Sequence, residues 1–332
     1  MSPILRIENL SVSFPKLFNT IKAVRDVDLD LHEGQITGLV GESGSGKSMT
    51  ASAAMGLITS QAEVSGKIYW QDSTWNARDM AKSGRKIRGA GAAMIFQNPL
   101  TALNPFFSVG QQIFDVARQH RNMTVAELEK EVKDCLAQVH LPQPEKLYKK
   151  YPHELSGGQI QRVVIAMALI CQPRVLIADE PTTALDVTVQ AQILALVREL
   201  TDEKQLSVLL ITHDLSVVAT VCDHVSVMYA GQIVEQGEVR QVIKYPVHPY
   251  TQKLLATVPE IGISTELEHI PGQVPDLGKP IIGCAFQERC EKRTDNCQQP
   301  PELISSEQGH QYRCFHPTTD NLITKPMKAV SL

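Results

Sequence analysis

An eight-residue segment near the N-terminus carries the residue types needed to bind phosphate. It consists of Gly41, Glu42, Ser43, Gly44, Ser45, Gly46, Lys47 and Ser48, and it fits the pattern G-x-x-x-x-G-K-[ST]. Glycines let successive backbone N–H groups point into one concavity that binds phosphate oxygens. Lys47 would reach the β- and γ-phosphates of a nucleotide, and the Ser48 hydroxyl would ligate Mg²⁺. The segment therefore predicts nucleotide binding.

The residues on either side of this phosphate loop (Gly41–Ser48) predict the elements that position it. An apolar run at residues 36–40 reads as a buried strand. Met49 to Leu57 is rich in Ala and Met and predicts a helix whose positive N-terminal end faces the same phosphates. The alternative is a Gly-Ser loop that ends in Lys-Ser by chance. Eight fitting positions between a strand and a helix argue against it.

Two carboxylates follow a second apolar strand. Asp179 and Glu180 close the run at residues 174–180, so we expect them at the same edge of a parallel sheet as the phosphate loop. Asp179 can hold Mg²⁺ directly or through water, and Glu180 can orient the water that attacks the γ-phosphate. The alternative is an ordinary Asp-Glu-Pro turn at a strand end.

A glycine pair opens another predicted helix. Ser156, Gly157, Gly158 and Gln159 precede an apolar helix from about Gln161 to Cys171. Ser156 and Gln159 have the spacing of a capping box, which predicts a helix start. That interpretation leaves the two glycines unexplained, and a second phosphate-binding helix N-terminus would account for them.

Periodicity predicts an α/β architecture around these motifs. Antiparallel strands are expected at residues 4–34 and 66–70, and parallel strands at 92–96, 174–180 and 207–213. A crossover helix at 187–204 and a hairpin at 224–237 complete the core. A helical insertion separates the parts of the sheet from Asn98 to Pro152, and its Asn98-Pro99 and Asn104-Pro105 steps predict a rigid loop at the entry.

Composition narrows the class of protein. The net charge of -4 includes no basic block, so nucleic acid is not an expected partner. The first residues lack a signal-peptide pattern, and the longest apolar run, Val163 to Cys171, is too short to span a bilayer. We therefore expect a soluble intracellular chain. Cys135, Cys171 and Cys222 lie singly in apolar surroundings and are expected to be inert.

Four further cysteines crowd into the C-terminal part of the chain. Cys284, Cys290, Cys297 and Cys314 are separated by five, six and sixteen residues. The absence of C-x-x-C lowers the expectation of a zinc ribbon, and disulfides are not expected in an intracellular chain. Four thiolates suit a [4Fe–4S] cluster, with a four-cysteine zinc site second.

Taken together, the motifs resemble those of the ATP-binding cassette (ABC) ATPases. The phosphate loop, Gln97 after an apolar strand, Leu155 to Gln159, Asp179-Glu180, Ala184-Leu185-Asp186 and His213 stand in that family's order and spacing over about residues 4–240. The resemblance implies a P-loop NTPase cassette: a mainly parallel sheet core with an antiparallel β subdomain and a helical insertion. A small cysteine-containing C-terminal extension would follow it.

The resemblance also implies roles for these residues. The phosphate loop with Met49 would bind ATP, and Ser156, Gly157, Gly158 and Gln159 would cap the γ-phosphate of an ATP held by an opposing cassette. Gln97 would sense Mg²⁺, His213 would contact the γ-phosphate and attacking water, and Asp186 would lie at the dimer contact. Phe14 occupies the strand whose aromatic stacks on adenine in the family, and the insertion from Pro15 to Thr20 leaves Phe18 as the other candidate.

The tail narrows the resemblance to a subfamily. Residues 245–254 and the four spaced cysteines resemble the C-terminal extension of ATPases from bacterial dipeptide, oligopeptide and nickel importers, in which the cysteines can carry an iron–sulfur cluster. We expect an ATPase domain at residues 1–240, with a helical subdomain at about 98–155, and the extension at 241–332.

The implied function is ATP hydrolysis that energises peptide import across the bacterial inner membrane, with the chain peripheral on its cytoplasmic face. The implied partners are a second, related ATPase chain, two transmembrane permease subunits and a periplasmic substrate-binding protein. The alternatives are a soluble cassette ATPase acting on ribosomes or DNA, which would be expected to carry two cassettes or a long coiled coil, and a non-catalytic binding module. Intact Glu180 and His213 speak against the latter.

Overall fold

The computed structural model describes residues 2–71, 73–183, 185–258, 269–306 and 309–318. Its strands in these ranges are β1 (Leu5–Pro15), β2 (Thr20–Leu31), β3 (Ile36–Val40), β4 (Glu63–Trp70), β5 (Ser73–Asn76), β6 (Ala92–Ile95), β7 (Val175–Asp179), β8 (Ser207–Thr212), β9 (His224–Tyr229), β10 (Gln232–Glu238), β11 (Ile304–Ser305) and β12 (Gln311–Tyr312). Its α-helices there are α1 (Lys47–Ala54), α2 (Met80–Ser83), α3 (Pro99–Ala102), α4 (Val109–His120), α5 (Val125–Gln138), α6 (Pro144–Leu147), α7 (Gly157–Leu169), α8 (Val187–Lys204), α9 (Leu215–Val221), α10 (Val239–Lys244) and α11 (Pro249–Ala256).

The chain folds as two compact units. One contains residues 1–83 and 211–332, and the other contains residues 84–210. The predicted boundary between an ATPase domain and an extension, at residues 240 and 241, falls inside the first of these units. That boundary stays a prediction.

The first unit contains two groups of strands. An antiparallel sheet has the order β2-β1-β4-β5, and β3, β9, β10, β12 and β11 lie side by side, with β3 parallel to β9 and β10 antiparallel to both β9 and β12. Apolar and acidic residues alternate in β2, and this alternation gives the antiparallel sheet one buried face and one partly exposed face. Val27, Leu29 and Leu31 are buried, while the aspartates between them are partly exposed. The predicted antiparallel strands are confirmed, as is the β9–β10 hairpin.

The second unit contains β6, β7 and helices α3 to α8. β6 and β7 are parallel, and β8, within which the division between units falls, follows β7 in the strand order. The helical insertion is confirmed. Thr124 accepts a hydrogen bond from the Glu127 N–H and caps α5, which buries Leu128, Val132, Cys135 and Leu136.

One local prediction in this unit is wrong. Asn98-Pro99 does not open a rigid loop, because Pro99 begins the short helix α3. Proline is well tolerated at the first helical position, where its missing N–H would have no intrahelical partner. Asn98 caps the helix by accepting a hydrogen bond from the Leu100 N–H at 3.1 Å.

The C-terminal extension packs directly on the core of the first unit. Tyr250 and Phe286 are at most 1% exposed and share a cluster with Val40 and Tyr229. The Tyr229 ring centroid lies 4.6 Å from that of Tyr250 and 5.3 Å from that of Phe286. Favourable aromatic geometry and burial therefore hold the extension against β3 and β9.

A buried carboxylate fixes the start of this extension. Glu235 on β10 is 0% exposed and accepts hydrogen bonds from the backbone N–H groups of Val247 at 2.7 Å and His248 at 2.9 Å. His310 Nε2 lies 2.8 Å from the same carboxylate. These hydrogen bonds offset the free-energy cost of burying the Glu235 carboxylate. They also attach the turn before α11, at Val247 and His248, to strand β10.

His248 gives this region a dependence on pH. Its ring is 1% exposed, Nδ1 accepts the Tyr250 N–H at 3.0 Å as the cap of α11, and burial lowers its pKa from 6.5 to about 4. As the pH falls from 6.5 towards 4 the unfolded chain gains a proton that the folded chain does not, so stability is lost in that window.

Substituting His248→Asn removes the titration but keeps a cap acceptor. Between pH 7 and pH 5 the free energy of unfolding, measured by urea titration, is expected to fall by about 2 kcal/mol more in wild type than in this variant. His269→Asn, at an exposed position of the same unit, is the control and should keep the wild-type pH dependence. Equal pH dependence in wild type and His248→Asn would contradict the assignment.

None of the helices in the described ranges combines the length and the apolar character needed to cross a bilayer.

Candidate functional site

The phosphate loop of the first unit lies between a buried strand and a helix, as predicted. All five residues of β3 are buried, and α1 begins at Lys47. Gly46 has φ +105°, and a Cβ there would lie 2.5 Å from the Ala23 carbonyl oxygen. Only glycine can take this conformation in this space, which explains the residue before the lysine.

Lys47 is held inside the loop. The residue is 5% exposed, and its ammonium donates to the carbonyl oxygens of Gly41 at 2.8 Å and Glu42 at 2.9 Å. The Ser45 hydroxyl oxygen lies 3.4 Å away. Ser43, Gly44 and Ser48 are exposed. The loop therefore combines a fixed cation with an open side at a helix N-terminus, which suits a phosphate chain.

The other predicted site residues of this unit lie near strand ends. Phe14 lies at the end of β1, opposite Ile21, and is partly buried. Phe18 lies in the turn between β1 and β2 and is 95% exposed. His213 is exposed and follows β8 directly, before the Asp214 side chain that caps α9.

In the second unit, the structure brings Gln97 and Glu180 together. Asp179 is the last residue of β7 and is buried. Glu180 follows with φ +48°, an uncommon conformation for a residue with a side chain. Its carboxylate accepts hydrogen bonds from Gln97 Nε2 and from the Thr183 hydroxyl, both at 2.9 Å. These contacts fix the carboxylate of a candidate general base.

Thr183 is a residue that the sequence motifs did not identify. Its hydroxyl is directed to Glu180, three positions earlier. The only sign of this contact in the sequence is the spacing of three residues between Glu180 and Thr183. Ser or Thr is common at such a position after a turn, so the spacing alone does not identify the contact.

The glycine pair at the start of α7 is only partly explained within the chain. Ser156 and Gln159 form the predicted capping box, with hydrogen bonds of 3.3 Å and 3.1 Å, which confirms the helix start. A Cβ on Gly158 would lie 2.7 Å from Val189 Cγ1 of α8, so helix packing requires this glycine. Gly157 has no such neighbour, because its nearest contact would be at 3.6 Å, and it is exposed like Ser156.

The predicted dimer-contact segment precedes α8. Asp186 is exposed and accepts a hydrogen bond from the Val189 N–H at 2.9 Å, so it caps that helix. Ala184, which belongs to the same motif, lies outside the described residues.

The prediction of an iron–sulfur cluster is wrong. Within the described ranges, no group of three or more His, Cys, Asp or Glu side chains is placed to hold a metal ion. Cys284, Cys290, Cys297 and Cys314 are free and line one small cavity together with Phe286. Burial raises the pKa of Cys284 and Cys290, and that of Cys314 to about 11, so these thiols are protonated at neutral pH. The spacing of the cysteines in the sequence could not show where the fold places them relative to one another.

Two side chains of the extension contact the phosphate loop, and neither was predicted. The Tyr250 hydroxyl accepts the backbone N–H of Glu42 at 2.9 Å. Arg289 donates to both carboxylate oxygens of Glu42, at 3.0 and 3.2 Å. Tyr250 lies in the segment at residues 245–254, for which the sequence indicated only a resemblance to the extension, and Arg289 precedes Cys290 without any recognisable pattern.

Comparisons with known proteins agree with this arrangement of motifs. A family model described as "ABC transporter" matches residues 24–183, and one described as "Oligopeptide/dipeptide transporter, C-terminal region" matches residues 234–297. The dipeptide transport ATP-binding protein DppD of Bacillus subtilis is 46% identical over 320 residues, which cover 95% of each chain. The chain belongs to the ABC transporter family. The predictions of this family and of an ATP-hydrolysing enzyme are confirmed.

Other ABC proteins support the same conclusion. The oligopeptide transport ATP-binding protein OppD of Escherichia coli is 44% identical over 324 residues, covering 96% of this chain and 95% of its own. A dimeric structure of the ATP-binding cassette MJ0796 bound to ADP and phosphate covers 71% of this chain and 99% of its own, at 27% identity with a TM-score of 0.62. The predicted cassette fold is therefore confirmed.

Proposed function

We propose that this ABC protein hydrolyses ATP to energise the import of peptides. The observation that carries the proposal is the identity to DppD and OppD, which extends over both the cassette and the C-terminal extension. Those relatives are named as dipeptide and oligopeptide transport ATP-binding proteins. They are transport proteins, so they give no support to an ATPase that acts on ribosomes or DNA.

The chemistry in this proposal is phosphoryl transfer to water. The phosphate loop with Met49 binds the phosphates of ATP, and Lys47 supplies a positive charge to the β- and γ-phosphates. Mg²⁺ would supply charge neutralisation. The Ser48 hydroxyl would be its ligand in the first unit, and Asp179 and Gln97 would be its ligands in the second. Hydroxyl, carboxylate and side-chain amide oxygens are ligands that suit this ion.

Glu180 acts as the base that orients the attacking water and accepts its proton. The hydrogen bonds from Gln97 and Thr183 support this role, because they hold the carboxylate in one orientation. His213 contacts the γ-phosphate. Phe14 stacks on adenine, with Phe18 as the alternative.

Two structural features support the proposal that this chain binds other subunits. Leu100, Phe106 and Phe107 are 63%, 84% and 50% exposed in the segment at residues 98–109, and exposed apolar side chains of this kind mark protein contacts. We assign this segment to the permease subunits, which span the membrane while this chain lies on the cytoplasmic face and a periplasmic binding protein delivers the peptide.

The exposed N-terminus of α7 supports a second cassette as a partner. Ser156, Gly157, Gly158 and Gln159 cap the γ-phosphate of ATP bound to that partner, and Asp186 lies at the contact. The partner is a related but different ATPase chain.

Peptide uptake by living cells tests this function. A bacterium that lacks the gene for this chain should lose uptake of radiolabelled di- and oligopeptides, and wild-type protein should restore it. The Glu180→Gln variant, produced at the same level, should restore less than about 5% of the uptake, in keeping with the usual contribution of a general base. Normal uptake without the gene, or full restoration by the variant, would contradict the proposal.

A further inference from the structure

Arg289 is the most extensively bonded cation among the described residues of the extension. Its side chain is 5% exposed, and besides Glu42 it donates to the backbone oxygens of Ile270 at 3.1 Å and Pro271 at 2.8 Å. A longer contact of 3.3 Å reaches the Tyr229 hydroxyl. The guanidinium carbon also lies 5.8 Å from the Tyr229 ring centroid. The guanidinium is therefore fixed in one place.

The partner of this guanidinium is the second residue of the phosphate loop. The Glu42 carboxylate is only 24% exposed, and the backbone N–H of the same residue is held by the Tyr250 hydroxyl. The Glu42 carbonyl oxygen accepts the Lys47 ammonium. The main chain of Glu42 is thus held by Tyr250 of the extension and by Lys47, and its side chain is held by Arg289 of the extension.

A carboxylate in a phosphate loop has an electrostatic cost. Nucleotide phosphates are anionic, and a like charge within several ångströms in a partly desolvated site opposes their binding. Arg289 offsets that charge through two charge-assisted hydrogen bonds to the carboxylate.

We propose that Arg289 is a positioning residue of the nucleotide site, which neutralises Glu42 and fixes its orientation so that the phosphate loop can accept the phosphates of ATP. This inference rests on the proposed role of the loop. The C-terminal extension then contributes directly to nucleotide affinity, through one side chain that touches no nucleotide itself.

Nucleotide affinity of the full-length protein tests the inference. Arg289→Gln leaves the Glu42 charge uncompensated and should raise the dissociation constant for ATP, measured by isothermal titration calorimetry, by ~10-fold. Arg289→Lys, which keeps the charge, should lie between this variant and wild type. Arg293→Gln is the control, because Arg293 forms an exposed ion pair with Glu288 in the same segment, and it should bind ATP like wild type.

The double variant Arg289→Gln/Glu42→Gln separates this role from a merely structural one. Removing the carboxylate should restore ATP affinity to within about threefold of wild type, whereas damage to folding would remain. An unchanged affinity in Arg289→Gln would overturn the inference, as would a double variant that binds as weakly as Arg289→Gln. Lys47→Ala is measured in parallel. Wild-type affinity in that variant would instead overturn the assignment of the phosphate loop.

Discussion

Replacing Glu180 by glutamine is expected to reduce the rate of ATP hydrolysis by ~10²-fold or more, while ATP affinity stays within about twofold of wild type. Glutamine has the shape of glutamate and keeps a side-chain oxygen that can accept from the Thr183 hydroxyl. It cannot accept a proton from water at neutral pH. Phosphate release by the assembled transporter and equilibrium binding of ATP measure the two effects separately.

Glu199→Gln is the matched control for this experiment. Glu199 lies on α8 in the same unit and pairs with His140 at the surface, where its side chain is 40% exposed. Its removal should leave both hydrolysis and binding unchanged, since exposed ion pairs contribute little. If Glu180→Gln hydrolysed ATP as fast as this control, Glu180 would not be the base.

Replacing Lys47 by alanine is expected to weaken ATP binding by roughly 10- to 100-fold, because a hydrogen bond to a charged group contributes ~1.5–3 kcal/mol. The loop itself also loses the contacts from the Lys47 ammonium to the carbonyl oxygens of Gly41 and Glu42. Hydrolysis at subsaturating ATP should fall at least in proportion. Fluorescent nucleotide titration measures the affinity directly.

Lys67→Ala provides the comparison for this variant. Lys67 is exposed on β4 of the same unit, and its removal changes the net charge equally. It should bind ATP like wild type, so a loss in Lys47→Ala alone reports the loop and not the overall charge. Equal affinities of the two variants would remove Lys47 from the site.

The parts of the fold and of the site that could be predicted depend on interactions between residues that lie close together in the sequence. The strand, loop and helix around Gly46 follow from local glycine chemistry and apolar runs, and the Ser156 capping box depends on residues three apart. α8 was predicted with its observed bounds because its apolar spacing is local. Pro99 shows the limit of this reasoning, since proline after Asn is compatible with a loop and with a helix start.

The remaining features depend on contacts that no local pattern encodes. Arg289 and Glu42 are 247 positions apart in the chain, and an arginine before a cysteine gives no sign of its partner. The extension has four cysteines, which is the number that a [4Fe–4S] cluster needs, but their spacing in the sequence does not show whether they meet in the fold. Whether four thiols can bind a metal depends on how the folded chain places them relative to one another.

The aromatic cluster of Tyr229, Tyr250 and Phe286 has a consequence for protein engineering. Cutting the chain after the cassette would remove Tyr250 and Phe286 and expose apolar surface at Tyr229. A shortened protein would therefore differ from the full-length enzyme in stability and solubility. For the same reason, a chimaera that exchanges tails between two relatives must also exchange the residues against which the tail rests.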